Sequence, residues 1–205
     1  MLDRDIRKSL KNVRFREHFD DPDTIVVDEL GLRHGISRVD IAVVNGFLHG
    51  YEIKSDSDTL QRLSNQVSIY SKVLDYATIV VGEKHASKAR EQVPGWWGIQ
   101  VVYLTESGTL EFKDDRSHWE NPEIDPVALA ELLWRPEVVE ILKARDVSGK
   151  TLRKPRAYLY RFLSEMVTLK ELRDLVRQQL KIREGWRGLK PPLSDADLSI
   201  PIPTS

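Results

Sequence analysis

The stretch Arg38–Ser55 constrains the fold more than any other part of the chain. Two runs rich in Val, Ile and Tyr, Arg38–Val44 and Phe47–Ser55, flank Asn45-Gly46. That dipeptide readily adopts the left-handed backbone of a tight hairpin turn. A third run of the same kind, Thr24–Leu32, precedes them. Side chains alternate faces along a strand, so Glu52 and Lys54 share one face while Tyr51 and Ile53 take the other. A strict two-residue turn pairs Val44 with Phe47 and Asp40 with Tyr51, which sends Asp40 and Glu52 to opposite faces. A three-residue loop containing Gly46, or a bulge, pairs Asp40 with Glu52 instead. A shared site requires the second register.

The surrounding pattern is that of an α/β protein. Ile6, Leu10 and Val13 predict a helix within 3–19, ended by Asp20-Asp21-Pro22-Asp23. Leu60, Leu63, Val67 and Leu74 predict a helix over 58–75, capped by Asp56 or Ser57. Ala77–Val81 and Ile99–Leu104 read as buried strands, His85–Gln92 as a short helix and Thr109–Lys113 as an edge strand. Beyond Asp114, prolines punctuate predicted helices at 126–144, 155–166 and 169–183, the last with a capping box at Thr168-Leu-Lys-Glu171. The expected architecture is an αβββαβ core with a mixed sheet, followed by a helical C-terminal module. The expected division is 1–118 for the core domain, 119–190 for the helical module and 191–205 for a flexible tail.

Composition narrows the chemistry. The 205 residues contain no cysteine, which excludes a disulfide framework, thiolate metal ligation and a thiol nucleophile. No apolar run approaches the roughly 20 residues that span a bilayer, so the expectation is a cytoplasmic protein without membrane contact. The net charge of −1 conceals an asymmetry. Lys150–Lys190 holds twelve Lys and Arg against four Asp and Glu, while the first 149 residues are net acidic. Such a division points to a polyanionic partner.

Asp40 is an acid isolated among Val39, Ile41, Ala42 and Val43, a position that demands a reason. In the register that aligns it with Glu52, two carboxylates and the Lys54 ammonium converge, with Glu29, or its neighbour Asp28 on the opposite face, upstream as a third acid. Two close carboxylates repel unless a cation lies between them, and hard oxygen ligands suit Mg²⁺ or Mn²⁺. Lys54 would stabilise an oxyanion or help deprotonate water, which suits metal-assisted phosphodiester hydrolysis. Gln66 and Tyr70 lie one helical turn apart, with Arg62 one turn earlier, at the lip of such a site. The alternative is a structural cross-strand network of Asp40 and Glu52 with Arg38 and Lys54. A second Glu-x-Lys pair, Glu111 and Lys113, reads as a solvated edge strand.

Taken together, these residues resemble the PD-(D/E)XK, or restriction-endonuclease-like, nuclease superfamily over roughly 1–105. Its pattern of an upstream acid, an Asp and Glu-x-Lys corresponds to Glu29, Asp40 and Glu52-Ile-Lys54. Gln66-x-x-x-Tyr70 resembles the additional motif of its RecB-like branch. Gly35-x-x-Arg38-Val-Asp40 and Gly50-Tyr-Glu52-Ile-Lys54-Ser55 are similar to a little-characterised bacterial set of predicted nucleases. The resemblance implies that Asp40, Glu52 and the backbone carbonyl of Ile53 bind the metal while Lys54 assists catalysis. It implies a Mg²⁺-dependent deoxyribonuclease acting on DNA, with RNA equally compatible and a homodimer compatible too. The expected nucleic-acid contacts are Arg38, Arg62, Arg153, Lys154, Arg156, Arg161, Arg173, Arg177 and Lys181. The second expectation is a catalytically inactive nucleic-acid-binding protein that uses the basic C-terminal helices. A third is a protein-interaction module that offers those helices to an acidic partner.

Overall fold

A computed structural model of the chain describes residues 2–183. The expected tail, 191–205, lies outside the described residues, as do residues 184–190 of the basic module. Six strands form one sheet in sequence order: β1 (Ile25–Leu32), β2 (Ser37–Val44), β3 (Leu48–Lys54), β4 (Tyr76–Gly82), β5 (Gly98–Leu104) and β6 (Leu110–Arg116). The first three run antiparallel, β3–β4–β5 are parallel, and β6 returns antiparallel at the edge. Helices α1 (Asp3–Val13) and α2 (Arg16–Asp20) precede the sheet, α3 (Leu63–Tyr70) links β3 to β4, and α4 (Ala86–Gln92) links β4 to β5. After β6 come α5 (Pro126–Ala130), α6 (Arg135–Lys143), α7 (Gly149–Leu152), α8 (Arg156–Met166) and α9 (Leu169–Ile182). The architecture is therefore mixed α/β, with the αβββαβ order expected from the sequence and helices following it.

The sheet has a core on each face. One face packs α1 through Ile6 and Leu10 against Val26, Ile41, Val43 and Ile53, with Phe15 beside them. The other packs α3, α4 and the C-terminal helices against Val27, Val44, Ile79 and Ile99 in a single apolar cluster. That cluster continues without a break through Leu129, Leu142, Leu163, Leu172 and Leu180. Full burial of one such side chain contributes about 1.5–3 kcal/mol. Trp96 and Trp97 are buried in this core, and Trp97 lies parallel to Tyr70.

Several expected helices are shorter, each for a local reason. Residues 3–19 break at Arg14-Phe15, where Phe15 turns inward and is 1% exposed. Asp56 and Ser57 cap no helix: the Asp58 carboxylate accepts from Ser55 N at 2.8 Å and closes a turn, and α3 starts only at Leu63. The 126–144 helix divides because Pro136 has no N–H to continue it through Leu132. Asp125 caps α5 by accepting from Val127 N and Ala128 N, and Thr168 caps α9 by accepting from Glu171 N. Gly149–Leu152 forms a single helical turn between α6 and α8.

Two backbone details position the polar residues. The loop between β2 and β3 is three residues long: Val44 pairs with Leu48, and Asn45 N donates to Phe47 O at 3.0 Å. Continued past Ile41–Tyr51, this register sets Asp40 opposite Glu52. In β1 and β2, the inside–outside alternation then slips. Val27 and Ala42 face the larger core, Val26 and Val43 the smaller, yet Leu30 and Val39 both face the larger. The slip falls on the Glu29–Asp40 rung in both strands, and Glu29 carries the left-handed backbone there, with φ of 56°. That conformation costs about 1–2 kcal/mol in a residue with a Cβ.

Candidate functional site

Two features outside the apolar cores stand out: a buried polar cluster where β2 and β3 meet α3, and an exposed basic ridge on α7 and α8.

In the cluster, Glu52 is 1% exposed and Lys54 6%. Lys54 Nζ donates to Glu52 Oε1 at 2.5 Å, Gln66 Nε2 donates to the same oxygen at 2.5 Å, and Tyr70 Oη donates to Oε2 at 2.6 Å. Tyr70 also reaches the Arg38 carbonyl, so its one proton is shared between two acceptors. Burial first, and the Glu52 charge second, raise the Tyr70 phenol above its ordinary range and keep it a donor. Asp40 lies beside this group. Its Oδ2 accepts from Ile53 N at 2.7 Å. Burial and then the charge of Glu52 push its carboxyl up to about 7, against the opposing pull of Ile53 N, Arg7 and Lys54.

The expected residues Asp40, Glu52, Lys54, Gln66 and Tyr70 are thus brought together. Arg38, expected in the cross-strand network, contributes its carbonyl while its side chain is exposed. Arg62 is exposed on the turn before α3. Glu29 joins through a residue the sequence reading missed. Arg7 of α1 places its guanidinium 3.2 Å from Glu29, 3.2 Å from Asp40 and 3.5 Å from Asp28. Burial opposes its charge, but Asp40, Asp3, Asp28 and Glu29 together raise the Arg7 pKa above its ordinary value. Lys11, one turn later, reaches Asp28 at 2.7 Å. The available signal was the Arg7/Lys11 spacing, which puts two cations on one side of a helix whose Ile6 and Leu10 must face the sheet.

This arrangement does not fit the Mg²⁺ or Mn²⁺ ion expected between Asp40 and Glu52. All four oxygens of the two carboxylates already accept a protein donor. Among the described residues, no group of three or more His, Cys, Asp or Glu side chains is placed to hold a metal. The cation neutralising the acids is the Arg7 guanidinium, supported by the Lys54 ammonium. The cluster links β1, β2, β3, α1 and α3 through ion pairs and hydrogen bonds.

The basic residues fall into two groups. Arg173 lies 3.1 Å and Arg177 3.0 Å from the buried Asp75 carboxylate, which also accepts from Leu48 N at 2.7 Å. Arg173 further pairs with Glu120, Arg177 with Asp174, and Lys181 with Asp23. These side chains latch α9 to the sheet. By contrast, Lys150, Arg153, Lys154, Arg156 and Arg161 are all exposed. Lys150–Arg161 contains five cations and no carboxylate. Among the described residues none of the five has an ion-pair partner. Tyr158, 47% exposed, lies within this ridge, 6.0 Å from Lys154 Nζ and stacked on Phe162. The second Glu-x-Lys pair, Glu111 and Lys113, is exposed on the edge strand β6. No helix among the described residues is long and apolar enough to cross a membrane.

Comparison with known proteins corrects the family reading. A family model described as "Bacteriophage P4 protein cII" matches residues 3–186. The chain is 32% identical over 91 residues to "Protein cII" of Enterobacteria phage P4, a match covering 44% of this chain and 34% of that protein. The chain therefore spans about a third of the length of the curated relative it matches. No solved structure matches the chain. The assignment to PD-(D/E)XK nucleases, and to a bacterial branch of them, is overturned by a family match across both the sheet and the helices. With it go the deoxyribonuclease activity, the hydrolase class and the metal-binding description. A short constellation on a common topology does not carry its chemistry with it. The chain belongs to the bacteriophage P4 protein cII family.

Proposed function

We propose that this protein binds nucleic acid, DNA in the first instance, by gripping the phosphate backbone with the ridge Lys150–Arg161. The observation that carries this reading is the group of five exposed cations along Lys150–Arg161, with no carboxylate in that segment and no ion pair among the described residues. In a chain of net charge −1, most other exposed charge is of mixed sign, so a one-signed patch has few structural purposes. A backbone grip needs only Lys and Arg, and it is independent of base sequence. Arg38 and Arg62 extend the same chemistry elsewhere on the surface, whereas Arg173, Arg177 and Lys181 are committed to acids. A soluble DNA-directed protein of this kind would act in the cytoplasm.

The test is fluorescence anisotropy of the purified chain with labelled DNA across a salt series. Five phosphate contacts give a slope of log K against log salt of about −4 to −5 on duplex DNA. Replacing Arg153, Lys154, Arg156 and Arg161 by Ala removes most of that slope while leaving the fold intact. Absence of DNA retention at low salt overturns the reading and favours an acidic protein partner for the ridge.

A further inference from the structure

The α5–α6 turn, the end of β1 and the first turn of α8 enclose a cavity of about 300 Å³. Its floor is apolar: Leu30 is 2% and Leu133 1% exposed. One wall is bare backbone, because Gly35 lies in the left-handed region at φ 89° and has no atom within 4 Å of where a Cβ would be. Its polar lining is one carboxylate, Glu131, against Arg135, Arg156 and Arg183, with Trp134 and Tyr160 beside them. Trp134 is 51% exposed, and the Arg183 guanidinium lies 4.3 Å from its ring centroid, which fixes the plane of the indole. Arg156 belongs both to this lining and to the basic ridge, so the two features are continuous.

The geometry points to one unstacked nucleobase of a single strand as the occupant of this cavity, its backbone following the ridge. This rests on the nucleic-acid reading above and sharpens it from nucleic acid in general to a single strand. A flat aromatic at the rim of an apolar-floored cavity offers a π-face, and every base has one to match it. The volume lies at the small end of ligand sites, which suits one base with its sugar rather than a longer segment. A paired and stacked base reaches such a cavity only after it is extruded from the duplex. The ridge alone would not distinguish the two forms, since phosphates are common to both. The cavity therefore supplies a preference for the single strand.

The test compares labelled oligo-dT with a duplex of equal length at one fixed salt concentration, using the full chain. The expected result is tighter binding of oligo-dT, lost by roughly tenfold in Trp134→Ala, with duplex binding unchanged. Trp134→Phe retains most of the affinity, because the phenyl ring still stacks. Oligo-dT quenches the tryptophan emission of the wild-type chain and loses that component in Trp134→Phe, a readout that holds even if the alanine variant is poorly folded. Equal loss of duplex and single-strand binding, or no quenching difference between wild type and Trp134→Phe, overturns the inference. Failure of both nucleic acids to bind at low salt overturns the ridge reading itself. Duplex binding with no single-strand advantage removes the cavity's role alone.

Discussion

Arg7 holds Asp40 at two points, donating from Nη1 to its carbonyl at 2.5 Å and from Nη2 to its carboxylate at 3.2 Å. One planar fork thus fixes both the backbone and the side chain of the residue at which two strands slip phase. A Lys in its place would supply a point charge but not the fork. Arg7→Ala should lower stability by about 2 kcal/mol. That is below the 3–5 kcal/mol of a fully buried pair, because Arg7 keeps 18% exposure. Arg7→Lys should fall between. A urea midpoint in Arg7→Ala equal to that of the wild type would show that the fork contributes nothing.

The same cluster predicts how the protein responds to metal. Millimolar Mg²⁺ should leave the wild-type melting temperature unchanged, because Arg7 and Lys54 already compensate the acids. In Arg7→Ala, Asp28, Glu29 and Asp40 lose their shared cation, and Mg²⁺ should restore part of the lost stability. A wild-type melting temperature that rises with Mg²⁺, and stops rising in Asp40→Asn, would instead show a metal site in the cluster.

Asp40 also sets a pH dependence. Its carboxyl stands at about 7 in the fold, above the ordinary 3.8. Between those values the folded chain keeps a proton that the unfolded chain releases, so stability falls as pH rises through that window. Asp40→Asn removes the group and should flatten this part of the curve, by an amount on the order of 1 kcal/mol or more. Thermal melts of both proteins between pH 4 and pH 7 measure it. Parallel curves would mean that Asp40 is not the titrating group.

The two classes of arginine should separate experimentally. Arg177→Ala leaves buried Asp75 with one cation fewer and should lower the melting temperature while barely changing the salt slope of DNA binding. Arg153→Ala should do the reverse, reducing the slope by about one with the melting temperature unchanged. A common effect of both substitutions on binding alone would dissolve the distinction.

Gly50 faces a close approach to the apolar core. A Cβ there would lie 2.5 Å from Leu74 Cδ1 and 3.0 Å from Val39 Cγ1. Leu74 can yield only by displacing core neighbours, so Gly50→Ala should cost about 1–3 kcal/mol. Calorimetry of Gly50→Ala beside Gly46→Ala, which meets nothing within 4 Å, checks the cause.

Much of this arrangement was legible in the sequence, and the failures have physical reasons. Strand positions followed from β-branched runs bounded by turn residues. Asn45-Gly46, read together with the demand that Asp40 face Glu52, anticipated the three-residue loop. The proximity of Gln66 and Tyr70 to Glu52 followed from a helix placed directly after its strand. Arg7 was hidden because its partner Asp40 is 33 positions away, and nothing local ties them. Arg173 and Arg177 read as available cations in the sequence because charge is visible in composition while partnership is not. Pro136 carries the signal for the division of the 126–144 helix, against an apolar periodicity that runs through it. The cluster of Asp40, Glu52, Lys54, Gln66 and Tyr70 does form, but its presence does not specify a catalytic family. The same acids and lysine serve equally well as a joint.

The slip at the Glu29–Asp40 rung has a consequence for how this family can vary. Because β1 and β2 exchange faces at the same place, deleting one residue at position 29 would restore regular alternation to β1 but strand it out of phase with β2. Only a compensating change opposite it would recover packing on both sides. Length variation is therefore locked in pairs across residues 25–44. It should be tolerated singly at the Thr105–Thr109 turn, where the chain is exposed and closes on itself through its own hydroxyls.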